Sequence, residues 1–339
     1  MKQAMIAMSG GVDSSVAAYL AMEQGYACQG GTMLLWEAGS TADANAVADR
    51  LGIPFHVFDA RPDFRQQVVE PFIAAYEAGL TPNPCMLCNK TLKFSWFLDQ
   101  ALSHGCALVV TGHYARLRWE NGRPLLYATE DKAKDQSYFL AGLSSHQLAH
   151  SYFPLGELTK DQVRAIAAEQ GFLNAQKRDS QDICFIPDGD YKAFMERYTG
   201  KCYPCGDFLD TNGQVVGRHN GAVGYTLGQR KGLGLAMGAP VYVCGKNMAA
   251  NTVTVGPEER LFTKTLWADN CNFLPFDTLT QPLQVTAKAR SRHVPQKATV
   301  YPDEGGIRVE FDQPQRAITP GQAVVLYDGD LVIGSGMIR

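Results

Sequence analysis

Residues 9 to 14 read Ser9-Gly-Gly-Val-Asp-Ser14, between an apolar run, Ala4 to Met8, and a helical stretch, Ser15 to Gln24. Two consecutive glycines let the backbone pass close to an anion with its N–H groups turned inward. Ser9 and Ser14 add hydroxyls, and the following helix offers its positive end. Such a segment cradles a pyrophosphate, and the carboxylate of Asp13 suits a magnesium ion, Mg2+, that neutralises the phosphates. The Gly-Lys-Ser/Thr ending of a Walker loop is missing and the G-x-G-x-x-G spacing fails. An ordinary glycine turn between strand and helix is the plain alternative.

The cysteines carry a second chemistry. Cys85 and Cys88 form a C-x-x-C behind Thr81-Pro-Asn-Pro84, Cys184 follows Lys177 and Arg178, and Cys202 and Cys205 form a second C-x-x-C. The prolines stiffen a loop just before a helix, a position that lowers a thiol pKa and exposes the sulfur; Lys177 and Arg178 favour a thiolate at Cys184 likewise. The alternatives are a zinc site built from both pairs, or buried thiols. Cys28, Cys106, Cys244 and Cys271 fall in strand-like surroundings and read as core residues.

Elements that would position these groups alternate through the first half. Strand signals at 4–8, 29–35, 55–59 and 107–111 are separated by helical patterns at 15–24, 42–51, 64–78 and 93–103, as a parallel sheet with helices on both faces requires. Thr159 with Gln162 forms a capping-box pattern ahead of a helix over 160–170, closed by Gly171. The glycine loop then lies at the carboxyl end of the first strand, where open α/β sheets bind ligands. From Gly200 on, short alternating segments replace helical periodicity. Leu283, Val285, Ala287 and Ala289 face one way, and Asp328-Gly329 is a hairpin turn. The expected fold class is α/β, with an ATP-binding catalytic domain over 1–199, a small linker domain over 200–260 and a β-barrel over 261–339.

With 45% hydrophobic and 19% charged residues, no run of eighteen apolar residues and no basic-then-apolar leader, a soluble cytoplasmic protein without a membrane partner is expected. Nine cysteines, an odd number without a secretory signal, argue for metal or redox chemistry over a disulfide framework. Net charge of −3 gives no global attraction for nucleic acid, so any RNA contact must be local. Lys288, Arg290, Arg292, His293, Lys132, Lys134, Arg230 and Lys231 are candidates for phosphate contacts or for a plain solvated surface.

The loop matches the PP-loop of ATP pyrophosphatases, which cleave ATP to AMP and pyrophosphate. Together with Thr81-Pro-Asn-Pro84, Cys88-Asn89, Lys93-Phe94, Thr111-Gly-His-Tyr114, Lys134-Asp-Gln-Ser-Tyr-Phe139, Asp179-Ser180, Ile183-Cys-Phe185, Gly224-Tyr-Thr-Leu-Gly-Gln-Arg-Lys-Gly232 and Thr319-Pro-Gly-Gln322, nearly the whole chain resembles the bacterial tRNA-specific 2-thiouridylase family. The resemblance implies ATP-dependent replacement of O2 of the wobble uridine, U34, by sulfur, with tRNA and a sulfur-donor protein or sulfide as partners. It implies Cys88 as nucleophile, Cys184 as persulfide carrier, and ATP contacts at Ala7, Met8, Ser9, Gly10, Gly11, Val12, Asp13, Ser14, Met33 and Gly112. Positions near tRNA would be Asn83, Pro84, Cys85, His113, Lys134, Asp135, Gln136, Arg290, Ser291 and Gln322.

Two departures stand out. Cys85 occupies a position where familiar members carry aspartate, so that Cys85, Cys88 and Cys184 would suit three ligands of a [4Fe-4S] cluster with one iron open to sulfide. The segment after Trp36 is short and lacks an acidic insertion, which would alter the donor-docking surface. Rival functions are a small-molecule adenylating synthetase, which would need neither paired cysteines nor a basic barrel, and a non-catalytic RNA-binding protein, which would not retain Asp13 and Cys184.

Overall fold

The computed structural model describes residues 2–36, 41–172, 174 and 183–339. Strand β1 (Gln3–Ala7) leads through the glycine loop into α1 (Val12–Glu23), followed by β2 (Ala27–Leu34), α2 (Ala42–Leu51) and β3 (Phe55–Asp59). α3 (Arg61–Phe64) passes through a π-helical stretch, Arg65–Val69, into α4 (Glu70–Glu77). A second composite helix joins α5 (Pro84–Cys88) through the π stretch Asn89–Trp96 to α6 (Phe97–Ser103), ahead of β4 (Leu108–Val110). Then come β5 (Arg116–Glu120), β6 (Arg123–Tyr127), α7 (Ser137–Leu140), α8 (Ser145–Ala149), β7 (Ser151–Tyr152) and α9 (Lys160–Glu169).

The first sheet has the order β3-β2-β1-β4-β7, and its pairs are all parallel. Alternation along β1 serves both faces. Ala4 and Ile6 pack with Val16 and Ala17 of α1, Val47 of α2 and Val163 of α9, while Met5 packs with Phe97, Leu98 and Ala101 of α6. The chain runs to opposite sides of β1, so the crevice between the ends of β1 and β4 is the topological switch point.

α10 (Tyr191–Thr199) leads to a four-stranded sheet of order β10-β11-β8-β9, made by β8 (Gly206–Leu209), β9 (Val215–His219), β10 (Tyr242–Asn247) and β11 (Thr252–Gly256). The last unit is a barrel of β12 (Phe262–Phe273), β13 (Leu283–Lys288), β14 (Gln296–Asp303), β15 (Gly306–Arg316), β16 (Ala323–Asp328) and β17 (Leu331–Ile338), closed by the pairing of β12 with β17. Val285, Ala287, Val300 and Val309 fill it. The hairpin β5–β6 attaches to the same sheet through Tyr127 opposite Leu331, so a piece of the first half is joined to the outside of the closed barrel. Among the described residues no helix is long and apolar enough to cross a membrane.

The helix expected from Lys93 starts at Pro84. Proline at the first helical position costs no hydrogen bond, and Asn83 caps it by accepting from Met86 N at 3.2 Å, so the segment that read as a stiff loop is the helix's first turn.

Candidate active site

The glycine loop closes on itself. Ser14 Oγ donates to Gly11 O (2.9 Å) and receives Ser9 N (3.3 Å), while Asn174 Nδ2 fastens Gly10 O (3.1 Å) and Ser15 Oγ (2.9 Å) from behind. Gly10 has φ +72°, and a Cβ there would stand 3.0 Å from Asp43 Cβ, so neither conformation nor space admits a larger residue. α1 begins at Val12, earlier than the pattern suggested, which puts Asp13 in its first turn and aims the helix's positive end at the loop. Across the switch point Gly112 lies so close that a Cβ would come within 2.7 Å of Asp13 C. Met33 lies near the end of β2, beside Ala7.

Asp13 is not an open carboxylate. Lys160 Nζ donates to its two oxygens at 2.7 and 2.9 Å, and Tyr114 Oη donates to Oδ1 at 2.7 Å. The two oxygens expected to meet magnesium are thus oriented by Lys160 and Tyr114. Lys160 escaped the sequence reading because it occupies the first position of α9, where a lysine normally faces water; here its side chain is 7% exposed and aimed at the loop. The Thr159–Gln162 capping box is formed as expected and fixes the helix start that delivers it.

Cys85 and Cys88 are three residues apart on α5, on one helical face. Cys88 is buried among Phe64, Leu92 and Phe185, while Cys85 and Cys184 reach solvent. Phe185 and Ile186, sunk in the same aromatic cluster with Trp36 and Phe194, anchor the turn that presents Cys184. Burial raises all three thiols. The Cys184 thiol goes up to about 11, with further upward pressure from Cys88 and Cys85, whereas Lys93 pulls all three downward. At buried Cys88, desolvation of the thiolate acts against the expected helix-start lowering. Lys177 and Arg178, with Asp179 and Ser180, lie outside the described residues, as do 37–40 after Trp36.

Among the described residues, no three His, Cys, Asp or Glu side chains stand as a group that could hold a metal ion, so no [4Fe-4S] site at Cys85, Cys88 and Cys184 and no zinc site is evident there. Cys202 and Cys205 lie in a stretch with no helix, strand, turn or bend, and both are free and exposed.

Several residues expected near tRNA are ties within the protein. Gln322 Nε2 donates to Thr81 O (2.9 Å) and Pro82 O (3.4 Å), and Thr81 N donates to Pro320 O (2.9 Å). Arg290 donates to Leu227 O (3.1 Å), Ala317 O (2.9 Å) and Thr319 Oγ1, and burial followed by nearby Arg316 lowers its pKa. Asp135 accepts from Thr129 N, Ser137 N and Ser137 Oγ, and Gln136 Oε1 accepts from Tyr114 N. Lys134 N donates to Asp131 O. His113 is enclosed by Phe94 and Phe153 with Nδ1 2.8 Å from Thr111 Oγ1; burial, then the charge of Lys93, holds it well below the usual imidazole range. Lys132 pairs with Asp330, and Lys288 lies 4.0 Å from Asp135. Arg230, Lys231 and Arg292 are exposed, and Ser291 is half-buried.

Three family models match in succession: the tRNA methyl transferase HUP domain over residues 2–188, the tRNA methyl transferase PRC-barrel domain over 192–257 and the aminomethyltransferase beta-barrel domain over 263–338. The tRNA-specific 2-thiouridylase MnmA of Clostridium acetobutylicum is 45% identical over 353 residues, covering 100% of this chain and 99% of the relative. That of Clostridioides difficile is 45% identical over 354 residues, covering 100% and 98%. Identity at this level from end to end, over a phosphate loop at the switch point and thiols from two segments, means that the chain belongs to the tRNA-specific 2-thiouridylase family.

Proposed function

We propose that the chain is a tRNA-uridine 2-sulfurtransferase that uses ATP to activate O2 of the wobble uridine U34 and replaces it with sulfur from a persulfide on Cys184. The observation that supports this most is that Cys88 and Phe185, the neighbour of Cys184, are buried in one cluster although about a hundred residues of chain separate them, in a protein whose switch point holds a closed glycine loop. A cytoplasmic location is part of the same proposal.

O2 of uracil is a poor leaving group. O2 attacks the α-phosphorus of ATP, the bond to the β-phosphate breaks, and pyrophosphate leaves into the loop between Ser9 and Ser14. As the polyphosphate enters, it competes with Asp13 for the ammonium of Lys160, which supplies positive charge where negative charge is released. The terminal sulfur of the Cys184 persulfide then attacks C2, and AMP departs carrying the former O2. Cys88 attacks Cys184 Sγ, the sulfur–sulfur bond breaks with its electron pair going to the thiouridine sulfur, and a Cys88–Cys184 disulfide remains. A dithiol reductant reopens it, and a donor protein's persulfide reloads Cys184 by exchanging its outer sulfur for a thiol. The base must first leave its anticodon stack to reach these groups.

Pyrophosphate release measured with and without tRNA, beside mass spectrometry of the tRNA nucleosides, tests the proposal. Release that requires tRNA and yields 2-thiouridine is expected. Release without RNA would identify a small-molecule adenylating synthetase instead, and binding without release an RNA-binding protein.

A further inference from the structure

Lys93 has no part in the relay just described, yet the structure directs it there. In an α-helix a residue five positions after Cys88 points well away from it. The chain is π-helical over Asn89–Trp96, with i→i+5 hydrogen bonds such as Phe97 N to Leu92 O, and this wider turn brings the fifth residue back over the first. Lys93 is thereby carried round toward the face that bears Cys88. Its neighbours in sequence, Leu92 and Phe94, are buried and hold the turn, while Lys93 itself is half-buried.

The ionisable groups around Lys93 come from three elements. Its charge is felt by Cys85 and Cys88 on α5, by Cys184 on the turn after α9, and by His113 after β4. His113 is held neutral by burial and supplies no competing charge. Among the described residues no carboxylate pairs with Lys93, although an amine in a partly desolvated recess calls for an anionic partner. The anion that the recess itself can generate is sulfur: a thiolate, a persulfide anion, or the thiolate released when a sulfur–sulfur bond breaks.

We propose that Lys93 is the counter-ion of the sulfur chemistry, a positioning residue whose ammonium stabilises the negative charge that develops on Cys88 and Cys184 as sulfur passes between them. This rests on the persulfide relay proposed above. It also gives the π stretch a purpose, since a regular helix would leave the ammonium facing elsewhere.

The test uses the full-length protein without ATP or tRNA. Iodoacetamide alkylation of each cysteine near neutral pH is followed by peptide mass spectrometry in the wild type, Lys93→Met and Lys93→Arg, with exposed Cys202 and Cys205 as internal controls. Alkylation of Cys88 and Cys184 should slow about tenfold in Lys93→Met, the change that one pKa unit produces, and recover in Lys93→Arg. The controls and tRNA-dependent pyrophosphate release should not change, and thiouridine formation should fall in kcat with KM for tRNA preserved. Unchanged alkylation would overturn the proposal. So would a loss confined to tRNA affinity, which would make Lys93 a phosphate contact. Because alkylation needs no substrate, failure of the wild type to make 2-thiouridine would sink the function while leaving this measurement decisive for the charge relationship.

Discussion

Lys160 Nζ lies 2.7 Å from Asp13 Oδ1 although 147 residues separate the two, and the pair joins the start of α9 to the first turn of α1. On the function proposed above, an entering polyphosphate would have to break this pair to gain the ammonium.

Lys160→Met should therefore reduce tRNA-dependent pyrophosphate release about 100-fold, the loss typical when a preorganised electrostatic partner is removed. Asp13→Ala should also abolish release while leaving tRNA binding nearly intact. The double variant should be little worse than either, since the two residues act as one unit. Strictly additive losses in the pyrophosphate assay would separate them.

Cys88→Ser and Cys184→Ser should each eliminate 2-thiouridine in a nucleoside assay, whereas Cys85→Ser keeps substantial activity and Cys202→Ser and Cys205→Ser keep it in full. Iron in the protein isolated without oxygen, lost together with activity in Cys85→Ser, would contradict the relay and restore the cluster.

Cys28 is 8% exposed, and burial followed by the neighbouring Cys106 pushes its thiol up to about 11. A folded-state pKa above the unfolded value means that the native protein holds the proton longer. The stabilisation is complete below the unfolded value of about 9 and is lost as pH rises toward about 11, on the order of 2–3 kcal/mol for two units. Melting temperatures across that window should fall less steeply in Cys28→Ala than in the wild type. Parallel curves would show that the thiol does not titrate there.

Gly112→Ala places a Cβ 2.7 Å from Asp13 C, against backbone that has no rotamer to yield. A cost of about 1–3 kcal/mol in urea unfolding is expected, with weakened ATP binding because the displaced atoms belong to the cradle. Gly122→Ala, at a hairpin tip with nothing within 4 Å, serves as the control for a change in open space at a positive φ. Equal losses from both would remove the steric argument.

The glycine loop, the capping box at Thr159 and the Asp328-Gly329 hairpin were legible because each is a local pattern whose physics is complete within a few residues. The attachment of β5 and β6 to the barrel was not, since the partner Leu331 lies some two hundred residues away and nothing near Tyr127 announces the pairing. Lys160 and Lys93 were illegible for another reason. A lysine at a helix start or on a helix face ordinarily meets water, and only the packing of α9 on α1 and the π turn at Asn89–Trp96 turn these two inward. The thiol pKa values went the other way from expectation because helix position can be read from a sequence, whereas the desolvation that outweighs it depends on side chains from Phe64 to Phe194.

The hydrogen bonds from Gln322 to Thr81 and Pro82 give the barrel a second role. Their acceptors lie immediately before Asn83, the residue that sets the origin of the helix bearing Cys85 and Cys88. A chain cut after residue 260 would lose more than the barrel itself. It would remove the abutment from which its own thiols are aimed, so the fragment would still hold ATP but would have lost the alignment that lets sulfur reach an activated base.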